Sequence, residues 1–346
     1  MPLEIIRNDI TKVSADAIVN TANPYVAIGS GVDSAIYKAA GRDQLLTARA
    51  KIGPIAAGEA AVTPAFGLKA KYIIHTVGPA WEGGGKGEVE TVARCYRNSL
   101  SKAKELGCES VAFPLLSSGN YGFPKDVALK TAVSEISGFL FSNEMTVYLV
   151  VYDKQSFEVS GKAFSGIKSF IEEKDVVQRT GRSEESVLRR FAAGEAHHKA
   201  NTAMRSPMQA YGIFADTAAE TAKSISIDEM LKDKDETFQQ HLFRIIDRKG
   251  LDDPDVYKKA NIDRKHFSKI RSNVNYNPSK KTALALAVAL ELNLDETKDL
   301  LMKAGLALTR SSTFDLIMEY CIEHKVRDIN EINCILFEYD QPTLGV

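Results

Sequence analysis

The sequence predicts a three-layer α/β/α fold over residues 1–173, a connecting stretch over 174–227 and an all-helical region over 228–346. Three observations carry this. Short β-branched or aromatic runs alternate with helical patterns through the first half, as in a sheet covered by helices on both faces. Residues 174–226 then lose large apolar side chains and any sustained period. Beyond 228 the apolar patterns repeat at helical spacing.

The strand-like runs are LEIIR, DAIVN, AAVTPA, KYIIHTV, SVAFPLL and MTVYLVVY, bounded by Gly, Pro, Asp or Asn. Helical patterns occupy 31–40, 43–51, 89–106, 124–141 and 155–172. In 89–106, Val92, Cys95, Tyr96, Ser99, Leu100 and Ala103 share a face, and Gly107 is placed to end the helix. In the connecting stretch a short helix around 184–193 is the one local pattern, and a flexible or partly helical linker is expected. The C-terminal helices are expected at 235–248, 253–260, 264–271, 279–291, 295–304, 312–324 and 328–337, with Asp263, Ser279 and Asp295 as starts. TALALAVALEL is nearly all apolar and is expected to be the central buried helix.

The chain carries 44 Lys and Arg against 45 Asp and Glu, so charge gives no global pull toward nucleic acid or membrane. Its four cysteines are scattered without a CxxC pair, which points to reduced thiols and to no metal site. His197-His198 lies in a polar stretch without cysteine neighbours. No signal peptide is read at the N-terminus, and no apolar run approaches the ~20 residues that span a bilayer. A cytoplasmic protein without cofactor is expected.

Four features converge on one chemistry. Asn8-Asp9-Ile10-Thr11 follows the first strand. NTANPYVAIGSGVDSAIYKAAG then runs from a strand through a glycine-spaced turn into a helix that Gly41 is placed to end. PLLSSGNYGFP is a second strand-to-helix loop, and Tyr152-Asp153 ends the last strand. Glycine loops at the carboxyl ends of strands bring backbone N–H groups to an anion unobstructed. Two such loops suit a ligand whose ends are joined by a pyrophosphate. Tyr152 offers a face to a purine, and Asp9 an acceptor for an exocyclic amine. Bland readings stand beside these. Taken alone, Asp33 reads as the N-cap of a helix beginning at Ser34, and only its place among the other motifs makes it a site residue; Tyr121 and Tyr152 have a reading as packing aromatics. His75 reads as a satisfied core residue, and Trp81 with Gly83, Gly84 and Gly85 as a mobile loop.

NDIT, DAIVNTAN, GSGVDSAIYKAAG, KYIIHTVGP, CYRNSL, VAFPLLSSGNYGFP and VYD occur in order, and residues 2–172 thereby resemble a macrodomain, the ADP-ribose-binding family. The resemblance implies a mixed sheet, with Asp9 on the adenine amine, Ile10 on the ring and Asn23 on the distal ribose. Gly29, Ser30, Gly31 and Val32 would wrap that ribose and the phosphate, and Ser117, Ser118, Gly119, Asn120 and Tyr121 would cradle the pyrophosphate. Asp33 holds the place of the aspartate of the hydrolytic, MacroD-type branch. Asn23 and Asp33 are therefore the expected catalytic pair, Asp33 orienting a water for hydrolysis at the distal ribose. O-acetyl-ADP-ribose deacetylation is a third use of the same pocket, and a non-catalytic ADP-ribose sensor is the alternative. Thr21, Ser30 and Ser34 depart from the family pattern. Ser30 interrupts the usual glycine run and is costly if φ must be positive there.

Residues 238–305 resemble the helix-turn-helix core of Xre-like repressors, with 261–263 as the turn and Asn261 in place of the usual glycine, tolerable because Asn adopts the left-handed conformation. Arg264, Lys265, Lys269 and Arg271 would then face DNA phosphates. The alternative is a protein-binding or purely structural bundle.

Overall fold

The computed structural model describes residues 2–152, Ile167, Phe170 and 236–345. Asp153, most of the helix expected over 155–172, the linker and His197-His198 lie outside the described residues. Residues 1–170 and 237–346 group as one compact unit, and 171–236 as a second.

Six strands form one sheet: β1 (Leu3–Arg7), β2 (Ala17–Thr21), β3 (Ala60–Pro64), β4 (Tyr72–Thr76), β5 (Ser110–Pro114) and β6 (Thr146–Val151). Their order is β1-β6-β5-β2-β4-β3. All neighbours are parallel except β3, which runs antiparallel to β4, so the sheet is mixed. Helices α1 (Val32–Ala40), α2 (Arg42–Ile52), α3 (Glu88–Glu105) and α4 (Lys125–Ser142) cover it. Strand alternation divides the core. Val19, Ile74, Phe113 and Leu149 pack with Val92, Tyr96 and Ile136 of α3 and α4, whereas Ile18, Ile73, Ala112 and Val150 pack with Ile36, Tyr37 and Leu45 of α1 and α2. This is the predicted three-layer sandwich, and both faces are apolar because both are covered.

Seven helices follow among the described residues: α5 (Phe238–Lys249), α6 (Asp253–Lys259), α7 (Arg264–Ser272), α8 (Lys280–Ala289), α9 (Leu294–Lys303), α10 (Thr313–Glu323) and α11 (Ile329–Glu338). α8 is buried from Thr282 through Ala289, as its all-apolar sequence predicts. Asp263 and Ser279 cap α7 and α8 through their side chains. Asp295 does not cap α9. Asn293 does so, accepting from Glu296 N–H while the Glu296 carboxylate accepts from Asn293 N–H. This reciprocal capping box leaves Asp295 inside the first turn.

The turn between α6 and α7 meets the edge of the sheet. Asn261 adopts φ +54° as the left-handed reading expects, and its side chain turns inward. Leu3 N–H donates to Asn261 Oδ1 at 2.8 Å, and Asn261 Nδ2 donates to Leu3 carbonyl at 2.9 Å. An edge strand presents unpaired backbone groups, and here a side-chain amide stands in for the missing neighbour. Farther along β1, Arg7 pairs with Asp340 at 2.9 Å and lies over Phe337. Gly345 packs so tightly on the turn that a Cβ there would meet Asn261 carbonyl at 2.4 Å.

Asn261→Ala removes two buried hydrogen bonds and places alanine at positive φ. Urea denaturation should show a loss of about 2–4 kcal/mol, from ~0.5–1.5 for each bond plus ~1 for the backbone. A loss below ~1 kcal/mol would show that the clamp is dispensable.

Candidate functional site

The carboxyl ends of the parallel strands open into a cavity of about 620 Å³, within the range of small-molecule sites. Every ligand-binding residue expected from the sequence lines it: Asp9, Ile10, Asn23, Gly29, Ser30, Gly31, Val32, Ser117, Ser118, Gly119, Asn120, Tyr121 and Tyr152, together with Asp33. Among the described residues, no Lys, Arg or His lines it. An anion held here would be met by backbone amides.

Those amides are in place. Among the described residues, the N–H groups of Ser118, Gly119, Asn120 and Tyr121 donate to no protein acceptor, and neither do those of Ser30, Gly31 and Val32. The second set includes the opening of α1, where helix geometry leaves donors unpaired. Ser117 has φ +61°, unusual for a side chain other than Asn or Asp, and its buried hydroxyl has no partner. A strained backbone and an orphan donor thus meet in one residue of the cavity lining.

At one end, Asp9 caps a single 3-10 turn (Ile10–Lys12) that leaves β1. Its Oδ1 accepts from Thr11 Oγ1 at 2.7 Å and Thr11 N–H at 3.0 Å. The Thr11 hydroxyl is the main reason the carboxyl titrates below its ordinary range. Ionised, it retains Oδ2 for a ligand donor. Tyr152 is 73% exposed beside the cavity, so the packing-aromatic reading does not hold for it.

At the other end stands Asp33, 2% exposed. α1 begins at Val32 with Gly31 as N-cap, so Asp33 is not the cap of a helix starting at Ser34. Instead its Oδ2 accepts from Gly29 N–H at 2.5 Å and its Oδ1 from Asn20 Nδ2 at 2.6 Å. A Cβ on Gly29 would lie 3.1 Å from Oδ2. Burial raises the carboxyl's proton affinity, against the opposing pull of both hydrogen bonds and the Arg49 charge. Positive φ in this loop falls at Gly31 and not at Ser30, so serine incurs no backbone strain. Its hydroxyl accepts from Asn120 Nδ2, joining the two loops across the cavity mouth.

Two supports of this end were not read from the sequence. Behind Asp33, Asn20 Nδ2 lies 3.1 Å from His75 Nδ1, and His75 Nε2 lies 2.9 Å from Thr63 Oγ1. Burial, with the Arg49 charge second, pushes His75 down to about 3. The ring is therefore neutral, accepting at Nδ1 and donating from Nε2. Arg49, 1% exposed, donates to Gly53 carbonyl at 2.5 Å and, more weakly, to Asn23 carbonyl at 3.4 Å. Asn23 Oδ1 accepts from Tyr25 N–H at 2.9 Å. No local signal marks Arg49, which occupies an ordinary polar helix.

A macro domain family model matches residues 19–132. A macro domain-containing protein of Methanosarcina mazei is 48% identical over 167 residues, covering 48% of this chain and 89% of that protein. A protein of Salmonella typhimurium named O-acetyl-ADP-ribose deacetylase is 43% identical over 159 residues, covering 44% of this chain and 89% of that protein. Among solved structures, the Oceanobacillus iheyensis macrodomain with ADP is 36% identical. That match covers 44% of this chain and 85% of that one, at TM-score 0.42.

Because the folded state of His75 refuses a proton that the unfolded chain binds below pH ~6.5, stability should fall as pH drops from 6.5 toward 3, by up to ~1.4 kcal/mol per unit from this group. Its ring resonances should not move between pH 8 and 5. A midpoint near 6.5 in NMR titration would contradict the buried relay.

Proposed function

The chain belongs to the macro domain family, and on that footing we propose that its cavity binds ADP-ribose. We further propose that it hydrolyses an ester between the distal ribose and an acyl group, on an acidic side chain or on acetate. The observation that carries this reading is the meeting of two loops with unpaired N–H groups around a cavity that, among the described residues, no cationic side chain lines. A pyrophosphate is neutralised there by fixed dipoles. Asp9 is set to receive an amine at one end, and Asn23 lies with Asp33 at the other. The deacetylase name of relatives such as the Salmonella protein supports the ester as the bond acted on.

For an ester at the anomeric carbon, water adds its oxygen to that carbon as the bond to the acyl oxygen breaks. The electron pair leaves with the carboxylate, and the water gives up one proton. Asp33, with proton affinity raised by burial, is the acceptor within the cavity. A second reading, an ADP-ribose reader without turnover, is favoured by one feature. Both Asp33 oxygens already hold the protein, one on Asn20 and one on Gly29.

For the helical region, a DNA-contact reading rests on Arg264, Lys265 and Lys269, all exposed on α7. Arg271, the fourth residue expected there, is committed elsewhere, to Asp253 at 2.5 Å and over Phe243 at 4.4 Å.

Calorimetry should show ADP-ribose binding that Asp9→Ala weakens about tenfold or more, as for loss of a charged hydrogen bond. ADP-ribose release from a carboxylate-linked substrate should fall at least ~100-fold in Asp33→Ala, a far larger drop than the accompanying loss of affinity. Binding without release above that control would leave the reader. Duplex DNA affinity should drop steeply with salt and collapse in Lys265→Glu/Lys269→Glu; no binding at low salt would discard the DNA reading.

A further inference from the structure

Beside the first cavity lies an open groove of about 610 Å³, lined by Pro24, Tyr25, Pro54, Ile55 and Tyr121 among others. The two share Gly78 and Tyr121. At that seam a Cβ on Gly78 would lie 2.1 Å from Ser117 Oγ, the hydroxyl without a partner. At Asn23 the chain passes from the lining of one opening to that of the other. Asn23 lines the first cavity, and Pro24 and Tyr25, next in sequence, line the groove.

We propose that this groove receives the polypeptide that carries the ADP-ribose, holding the residues around the modified side chain. The inference rests on the ADP-ribose reading of the first cavity and extends it. Through the shared Gly78 and Tyr121 the two openings adjoin, so a group bonded to a ribose held at Asn23 has this groove as a neighbouring surface. An acetyl group occupies a small fraction of such a groove, whereas a peptide segment fills it. Among the described residues the lining contains no charged side chain. A nucleic acid strand would bring phosphates with nothing there to neutralise them; a peptide brings none. Tyr25 is 71% exposed and Tyr121 36%. Tyrosine faces at the rim of an apolar groove are what a peptide anchors on, since burying such a ring gains apolar contact while its hydroxyl stays wet. The hydrogen bonds that tie Tyr25 to the first loop are backbone ones, its N–H donating to Asn23 Oδ1 and its carbonyl accepting from Ala27 N–H. Its ring is therefore separable from ribose binding.

The test compares the full chain with Tyr25→Ala by calorimetry on three probes: free ADP-ribose, a peptide bearing ADP-ribose through a non-hydrolysable link, and an oligonucleotide bearing it likewise. The wild-type chain should bind the peptide conjugate about tenfold tighter than free ADP-ribose, the effect of one anchoring aromatic. Tyr25→Ala should erase that gain and leave free ADP-ribose within about twofold. Equal affinity for conjugate and free ligand, or an equal loss on both in Tyr25→Ala, overturns the proposal while the functional reading stands. A larger gain with the oligonucleotide overturns the peptide as occupant. No binding of free ADP-ribose overturns the functional reading and this one with it.

Discussion

A buried carboxylate is the constraint on which the site depends. Removing the Asp33 charge from water is costly, and it is tolerated only because hydrogen-bond donors converge on it. One donor is the Gly29 amide, so the charge sets the path of the glycine loop. The other is Asn20, whose own orientation is set by His75, and His75 is set in turn by Thr63. The chain of bonds thus runs from β3 through β4 and β2 to the loop. It demands a neutral imidazole, and burial provides one. A protonated ring would offer Asn20 a donor where it needs an acceptor.

The opposite end of the cavity depends on a different device. Asp9 and Ile10 leave β1 directly, and β1 is an edge strand with only β6 beside it. The helical region supplies the missing partner groups, through Asn261 at Leu3 and through Asp340 and Phe337 at Arg7. The helices therefore act on the cavity by fixing the strand that delivers Asp9. The turn resembling a helix-turn-helix turn is buried in this role, while one face of α7 stays exposed.

Much of the site was legible because it is local. A glycine-spaced turn after an apolar run and an Asn able to take positive φ at 261 are properties of a few adjacent residues, and the structure shows both. Residues far apart in sequence were not legible in the same way. Arg49 carries no local signal and is buried. Asp33, read as a site residue with a helix cap as the bland alternative, is not the cap but clamps the glycine loop. Asn293 displaced Asp295 as the start of α9 because a reciprocal bond with Glu296 outweighs single-residue preference. Ser30 looked like strain and carries none, since the loop places its positive φ one residue later.

The sequence by itself determined the alternation of strands and helices, the two glycine loops and the family to which the first half belongs, because periodicity and turn chemistry are written in short windows. Tertiary structure alone decided what the polar side chains do. The bonds of Asn261 to a strand 258 residues away, of Asn120 to Ser30, and of His75 to Asn20 exist only once the sheet brings them together. So does the groove beside Tyr25. A buried polar group must find a partner, but which partner it finds is a matter of distance in space, and no local pattern encodes that.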